Sequence, residues 1–352
     1  MRITIVGCGS IGQKLAAAAD EMAEVKRIYI MDIIKEKAEQ VASGLKKAIV
    51  VDDVEEELYH CDLVIESASQ DAVRTIMPKV VARGVDIMIT SVGALVDDEF
   101  RNSVFQKAKE CEAKIYIPSG AACGTDGLRS SAVGRLDEVE LITTKAPISL
   151  KGAPFLEQEH IDVDSIKEPT EIFNGPAKDA VKLFPRNVNV AATISLLGIG
   201  FDKTRVRVIV DPATHTNSHE LRIKGEFGEM VCHTYNVPDP ETPQTSHLAA
   251  MSTISALKRV VRNEWFGLRS RPSPRAVPAG VAHLLYRACP SARTGAPSWN
   301  RESSSRSRRS SARRATPSSP RCCTLTASTP PFSTTLRTSW SSPGPPSRSR
   351  RS

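Results

Sequence analysis

The chain has 352 residues, 40% of them hydrophobic, which is enough for two modest cores. Its net charge of +7 is an average of two unlike parts: residues 269–352 hold 16 Arg, no Lys and one acid, Glu302, leaving 31 basic and 39 acidic residues in 1–268. No apolar run reaches the roughly 18 residues of a membrane span. There is no signal-peptide pattern, and the Cys of the first 268 residues form no C-x-x-C pair, so the expectation is a cytoplasmic protein off the membrane, without a disulfide framework or metal site.

In chain order, "RITIVG" predicts a strand and Ile11 to Met22 a helix. "RIYIMD" predicts a second strand and "IIKEKAEQVASGL" a second helix. "AIVV" and "CDLVIES" follow as strands, then a helix over "QDAVRTIMPKVVARG". "DIMITSVG" reads as a strand, "DDEFRNSVFQKAKEC" as a helix and "AKIYIPSG" as a closing strand. Buried strands separated by helices of this length predict a parallel sheet covered on both faces. Beyond it, "DEVELITTK", "TRVRVIVDP" and "HELRIKGEFGEMVCHTYN" alternate polar and apolar residues, which predicts an antiparallel sheet with one covered face. "AKDAVKLFPRNVNVAATISLLGIG" supplies covering helices, and "TSHLAAMSTISALKRVVRN" an amphipathic helix that packs back on the first part. The fold class is therefore α/β. A Rossmann-type domain over 1–118, with a returning helix at about 245–268, precedes a smaller α+β substrate domain over 119–244. From Arg269 the Arg, Ser and Pro composition predicts a disordered tail over 269–352. The abrupt loss of Lys and Asp favours an out-of-frame reading of that tail over a nucleic-acid-binding arm.

Gly7-x-Gly9-x-x-Gly12 joins the first strand to the first helix. In that context the first glycine permits a tight turn, the second lets a pyrophosphate reach the backbone and the third lets helix and strand approach. The helix N-terminus, at Ser10 and Ile11, then faces the anion. Asp32 ends the second strand, 20 residues after Gly12. Its carboxylate suits ribose hydroxyls and repels a 2′-phosphate, so NAD is expected; Lys35 and Lys37 nearby keep NADP possible.

"IPSGAACGTDGL" (117–128) and "KLFPRNVNVAATISLLGIGFDKTRVRVIVDPATHTNSHELRIKGEFGEM" (182–230) resemble the L-aspartate dehydrogenase family. The matching blocks are S-G-A with a following Gly and Asp, F-P-x-N-V-N-V-A-A, D-P-x-x-x-x-N-x-H and G-x-F-G. A later block, N-P-K-T-S-x-L-A-A, stands here as "TPQTSHLAA", with Thr242 and Gln244 in place of Asn and Lys. The resemblance covers about 1–268. It implies NAD(P)-dependent oxidation of L-aspartate to iminoaspartate, which hydrolyses to oxaloacetate and ammonia, a supply of iminoaspartate for NAD synthesis, and a homodimer.

His219 matches the family's active-site His. Its sequence context predicts a loop facing a cleft, with an imidazole near pKa 6.5 that moves protons in both steps. Asn189 matches the Asn near the nicotinamide. Ala121 and Ala122 are expected to present backbone N–H groups to it, with Gly124 in the same loop. Lys145 and Arg186 are candidate partners for the substrate carboxylates, and Asn217 is expected to orient the loop. His215 and His219 stand four apart, but "HTNSH" is poor helix sequence, so no metal is expected. Two alternatives remain: a related reductase of the dihydrodipicolinate-reductase or homoserine-dehydrogenase kind, and a non-enzymatic NAD-binding regulator.

Overall fold

The computed structural model describes residues 1–185, 189–240, 242 and 245–263. The first half runs β1 (Arg2–Val6), α1 (Ser10–Asp20), β2 (Arg27–Met31), α2 (Lys35–Ser43), β3 (Ala48–Val50), α3 (Val54–Glu57), β4 (Leu63–Glu66), α4 (Gln70–Ala82), β5 (Asp86–Ile89), a 3-10 turn over Val92–Val96, α5 (Asp98–Glu110) and β6 (Ile115–Tyr116). The six strands form one parallel sheet in the order β3-β2-β1-β4-β5-β6. The order reverses between β1 and β4, and the carboxyl ends of strands at such a switch point flank a crevice.

Alternation along the strands divides the core. Ile3, Ile5, Leu63 and Ile65 pack under Leu15 of α1, while Val64, Ile87 and Ile89 pack under Val73, Met77 and Val80 of α4. Ala256 and Leu257 of α11 (His247–Arg262) join the first of these clusters, so α11 lies against α1. "DIMITSVG" is strand only as far as Ile89, because Thr90 and Ser91 turn toward the buried Glu66.

The second half contains α6 (Thr125–Ser131), β7 (Leu136–Lys145), α7 (Pro147–Leu150), α8 (Pro154–Gln158), β8 (Thr170–Pro176), α9 (Ala177–Leu183), α10 (Asn189–Leu197), β9 (Arg205–Val210), β10 (Asn217–Gly225) and β11 (Gly228–Asn236). The five strands order as β11-β10-β7-β9-β8. This sheet is mixed rather than antiparallel throughout, since β7 and β9 run parallel. The chain between them crosses over through short helices, and polar–apolar alternation reports only that one face is covered. Leu141, Val206, Val208, Leu221 and Ile223 on that face pack with Ala191 and Ile194 of α10. Among the described residues no helix is long and apolar enough to cross a membrane. The expected tail lies outside the described residues, as does Arg186.

Candidate active site

The three glycines after β1 have three different surroundings. Gly7 adopts φ +98°, and a Cβ there would sit 2.8 Å from the Ala68 backbone. A Cβ on Gly12 would lie 1.9 Å from the Gly7 carbonyl oxygen, which only bare backbone allows. Around Gly9 nothing lies within 4 Å of a Cβ position, so the backbone is open at the N-terminus of α1. An open glycine turn leading into an 11-residue helix fits a pyrophosphate, because uncommitted N–H groups and the helix dipole both favour an anion there.

Asp32 follows β2 and is fastened to the same turn. The Cys8 N–H donates to its Oδ2 at 2.7 Å, and the Ile34 N–H to its Oδ1 at 2.9 Å. Each carboxylate oxygen keeps further acceptor capacity for a diol. The carboxylate sits beside the turn rather than in the cleft lining.

A cleft of about 850 Å³ opens over the switch point. Gly9, Ser10 and Ile11 line it together with Gly120, Ala121, Lys145, Asn189 and His219. Ser67 and Ala68 after β4, and Thr90 and Ser91 after β5, line it as well. Asn189 opens α10, and its Oδ1 accepts from the Gly93 N–H at 3.2 Å. The Ala121 carbonyl accepts from Asn236 Nδ2 at 3.0 Å and Thr234 Oγ1 at 3.3 Å, which anchors that loop to β11.

Like Gly7, Gly12 and Asp32, the predicted positions Ala122, Gly124 and Asn217 do not line the cleft. Ala122 is buried beside Ala121. Gly124 caps α6 with φ +79°, where a Cβ would meet Cys232 Sγ at 2.6 Å, so packing accounts for it. Asn217 is fully buried at the start of β10, in register with Asn236.

His219 is not in a loop. It sits in β10, whose inward residues are Asn217, His219, Leu221 and Ile223. The strand begins two residues earlier than "HTNSH" suggests, because β10 is held on both sides, by β7 and β11. His219 is 3% exposed, opposite Thr143 of β7, with Thr143 Oγ1 and His219 Nδ1 3.0 Å apart. Two residues along β7, on the same face, Lys145 is 2% exposed. Burial brings the Lys145 ammonium down to about 8. Burial first, and then the Lys145 charge, bring the His219 imidazole down to about 3 rather than the 6.5 expected. The ring is therefore neutral near pH 7. His215 is exposed and lies outside the cleft.

Two of the buried acids, Glu66 and Asp239, bond residues that line the cleft. Glu66 ends β4 and holds the two loops after β4 and β5. Asp239 accepts from Ser10 Oγ at 2.9 Å and pairs with Lys14, fastening the segment before α11 to the start of α1. A carboxylate closing the aliphatic run "LVIE" was the only local sign of the first; nothing local marks the second.

Residues 126–260 match the family model described as aspartate dehydrogenase, C-terminal, and residues 7–118 match the one described as homoserine dehydrogenase, NAD binding domain. The chain is 46% identical to the L-aspartate dehydrogenase of Methanosarcina acetivorans over 74% of its own length and 97% of that protein. The chain belongs to the L-aspartate dehydrogenase family. The family member of Nitrosopumilus maritimus is 40% identical over 73% of this chain and 96% of its own. The crystal structure of aspartate dehydrogenase from Thermotoga maritima matches with a TM-score of 0.57 at 30% identity, over 75% of this chain and 96% of that one. The family uses a nicotinamide dinucleotide, and the open turn at Gly9 with Asp32 beside it fits that group.

Proposed function

We propose that this protein oxidises L-aspartate to iminoaspartate with NAD as the preferred acceptor. The observation that carries this reading is the pair His219 and Lys145: two nearly solvent-free bases on neighbouring strands, facing one cleft with the glycine turn. When bound, the dinucleotide supplies the hydride acceptor. The neutral His219 ring takes a proton from the substrate ammonium, which frees the nitrogen lone pair that the forming C=N bond needs. Lys145, cationic below about pH 8, holds a substrate carboxylate. That contact offsets the burial of the ammonium and relieves the field that keeps His219 a weak base. Thr143 fixes the imidazole plane, and the wall of Asn189 and Gly120 to Ala121 orients the nicotinamide side.

In this reading residues 1–118 with α11 form the dinucleotide half and residues 119–244 the substrate half. Arg186 stands as a second carboxylate partner, and Asn217, bonded into the sheet, as support for His219. Water adds to the released imine, giving oxaloacetate and ammonia unless the imine is drawn into NAD synthesis. The resemblance supports a cytoplasmic homodimer, to be checked by light scattering. The activity is tested by following reduced-cofactor formation with L-aspartate, against homoserine as control. Turnover of L-aspartate with NAD is expected; turnover of homoserine alone contradicts the reading.

A further inference from the structure

Glu66 is the last residue of β4 and is fully buried; its backbone pairs in the sheet, yet every hydrogen bond of its carboxylate reaches a loop. Its Oε1 accepts from the Ala68 N–H at 2.8 Å and from Ser91 Oγ at 2.8 Å. Its Oε2 accepts from the Ser91 N–H at 3.1 Å and the Thr90 N–H at 3.3 Å. Three of these donors are peptide N–H groups, which cannot accept a proton from a carboxylic acid. The site is built for an acceptor on both oxygens, a demand the ionised group meets. Burial raises the pKa of the carboxyl, and the four donors oppose that rise.

The position of this charge matters as much as its bonding. Asp32 at the end of β2 marks the adenosine side of the switch point. A dinucleotide laid across the glycine turn then carries its other end over β4 and β5, where Ser67, Ala68, Thr90 and Ser91 line the cleft. The Glu66 carboxylate bonds three of these four residues, Ala68, Thr90 and Ser91. The nicotinamide ring is cationic when oxidised and neutral when reduced, so an anion below it distinguishes the two forms.

We propose that Glu66 is a positioning residue with an electrostatic role: its buried carboxylate ties the loops after β4 and β5 together and selects the oxidised nicotinamide over the reduced one. This rests on the dinucleotide placement given above. A unit charge within about 10 Å, at an effective dielectric of about 20, shifts a binding ratio by roughly tenfold.

The test measures Kd for NAD⁺ and for NADH by calorimetry on the full chain and on two variants. In Glu66→Gln the ratio Kd(NADH)/Kd(NAD⁺) should fall roughly tenfold, with most of the change on NAD⁺. Ser91→Ala deletes one donor and keeps the carboxylate, so both Kd values should rise together and the ratio should stay within about twofold. An unchanged ratio in Glu66→Gln overturns the proposal. So does a collapsed ratio in Ser91→Ala, which remains decisive if Glu66→Gln does not fold. A wild-type chain that binds neither nucleotide contradicts the dinucleotide reading itself, an outcome distinct from both.

Discussion

The Lys145 ammonium and the His219 imidazole face one cleft from neighbouring strands, and together with burial the charge of the first holds the second neutral. Neither group carries its solution pKa, and both depart in the direction that disfavours the charged form.

Lys145 gives a stability prediction whose sign follows from proton counting. Its pKa falls from 10.5 unfolded to about 8 folded, so the unfolded chain binds more protons between those values. Stability from this group therefore rises from pH 8 to 10.5, and the full penalty, about 3 kcal/mol, is present below pH 8. Lys145→Met should raise the Tm of the ligand-free protein at pH 7, and the gain should vanish near pH 10.5. The same variant should lose about 10- to 100-fold in kcat/KM for L-aspartate, mostly through KM, as expected for a lost charge-assisted contact. A KM that does not move contradicts the carboxylate role.

His219 acts at the acid end. Its pKa falls from 6.5 to about 3, so the folded state binds fewer protons in that window and stability drops as pH falls through it. Denaturant titration of wild type and His219→Gln between pH 7 and pH 4 checks this. The variant should lose less stability than wild type over that range.

The glycine turn separates folding from binding. Gly9 has φ −74° and open space, so Gly9→Ala should leave the Tm within a degree or two and weaken NAD binding about tenfold or more by standing in the way of the pyrophosphate. Gly12→Ala places a Cβ against the Gly7 carbonyl and should lower the Tm as well. Equal Tm losses in both would show that Gly9 is there for the fold.

Asp32→Ser should shift the NADP/NAD ratio of kcat/KM toward NADP by about tenfold, because the repulsion of a 2′-phosphate is removed. Loss of the bond from the Cys8 N–H should also weaken both cofactors somewhat. A ratio that stays put means that Asp32 does not face the ribose.

What could be read from the sequence was what local pattern encodes. The strand–glycine–helix junction and Asp32 lie within one βαβ unit, so spacing alone locates them. Type and block point to His219, and the alternation after it reads as strand, but the start of β10 at Asn217 does not show, because "HTNSH" carries loop residues and β10 is held by partners far along the chain. The expected pKa near 6.5 belongs to a solvated loop histidine; a strand histidine buried beside a lysine is held lower. Glu66 and Asp239 stayed hidden for a related reason. Their partners Ser91 and Ser10 lie 25 and 229 residues away, and no window spans such separations. The parallel pairing of β7 with β9 was invisible because period-two alternation carries no strand direction.

In the proposed reaction the buried His219, and not the exposed His215, moves the proton of aspartate oxidation. The most direct measurement compares His219→Ala and His215→Ala side by side, with L-aspartate turnover and NAD affinity read for each. His219→Ala should lose roughly 10²- to 10⁴-fold in kcat while Kd for NAD stays near wild type, since the pyrophosphate turn lies on the other sheet. His215→Ala should turn over within about twofold of wild type, as an exposed residue outside the cleft should. Turnover abolished in His215→Ala and retained in His219→Ala would contradict the account.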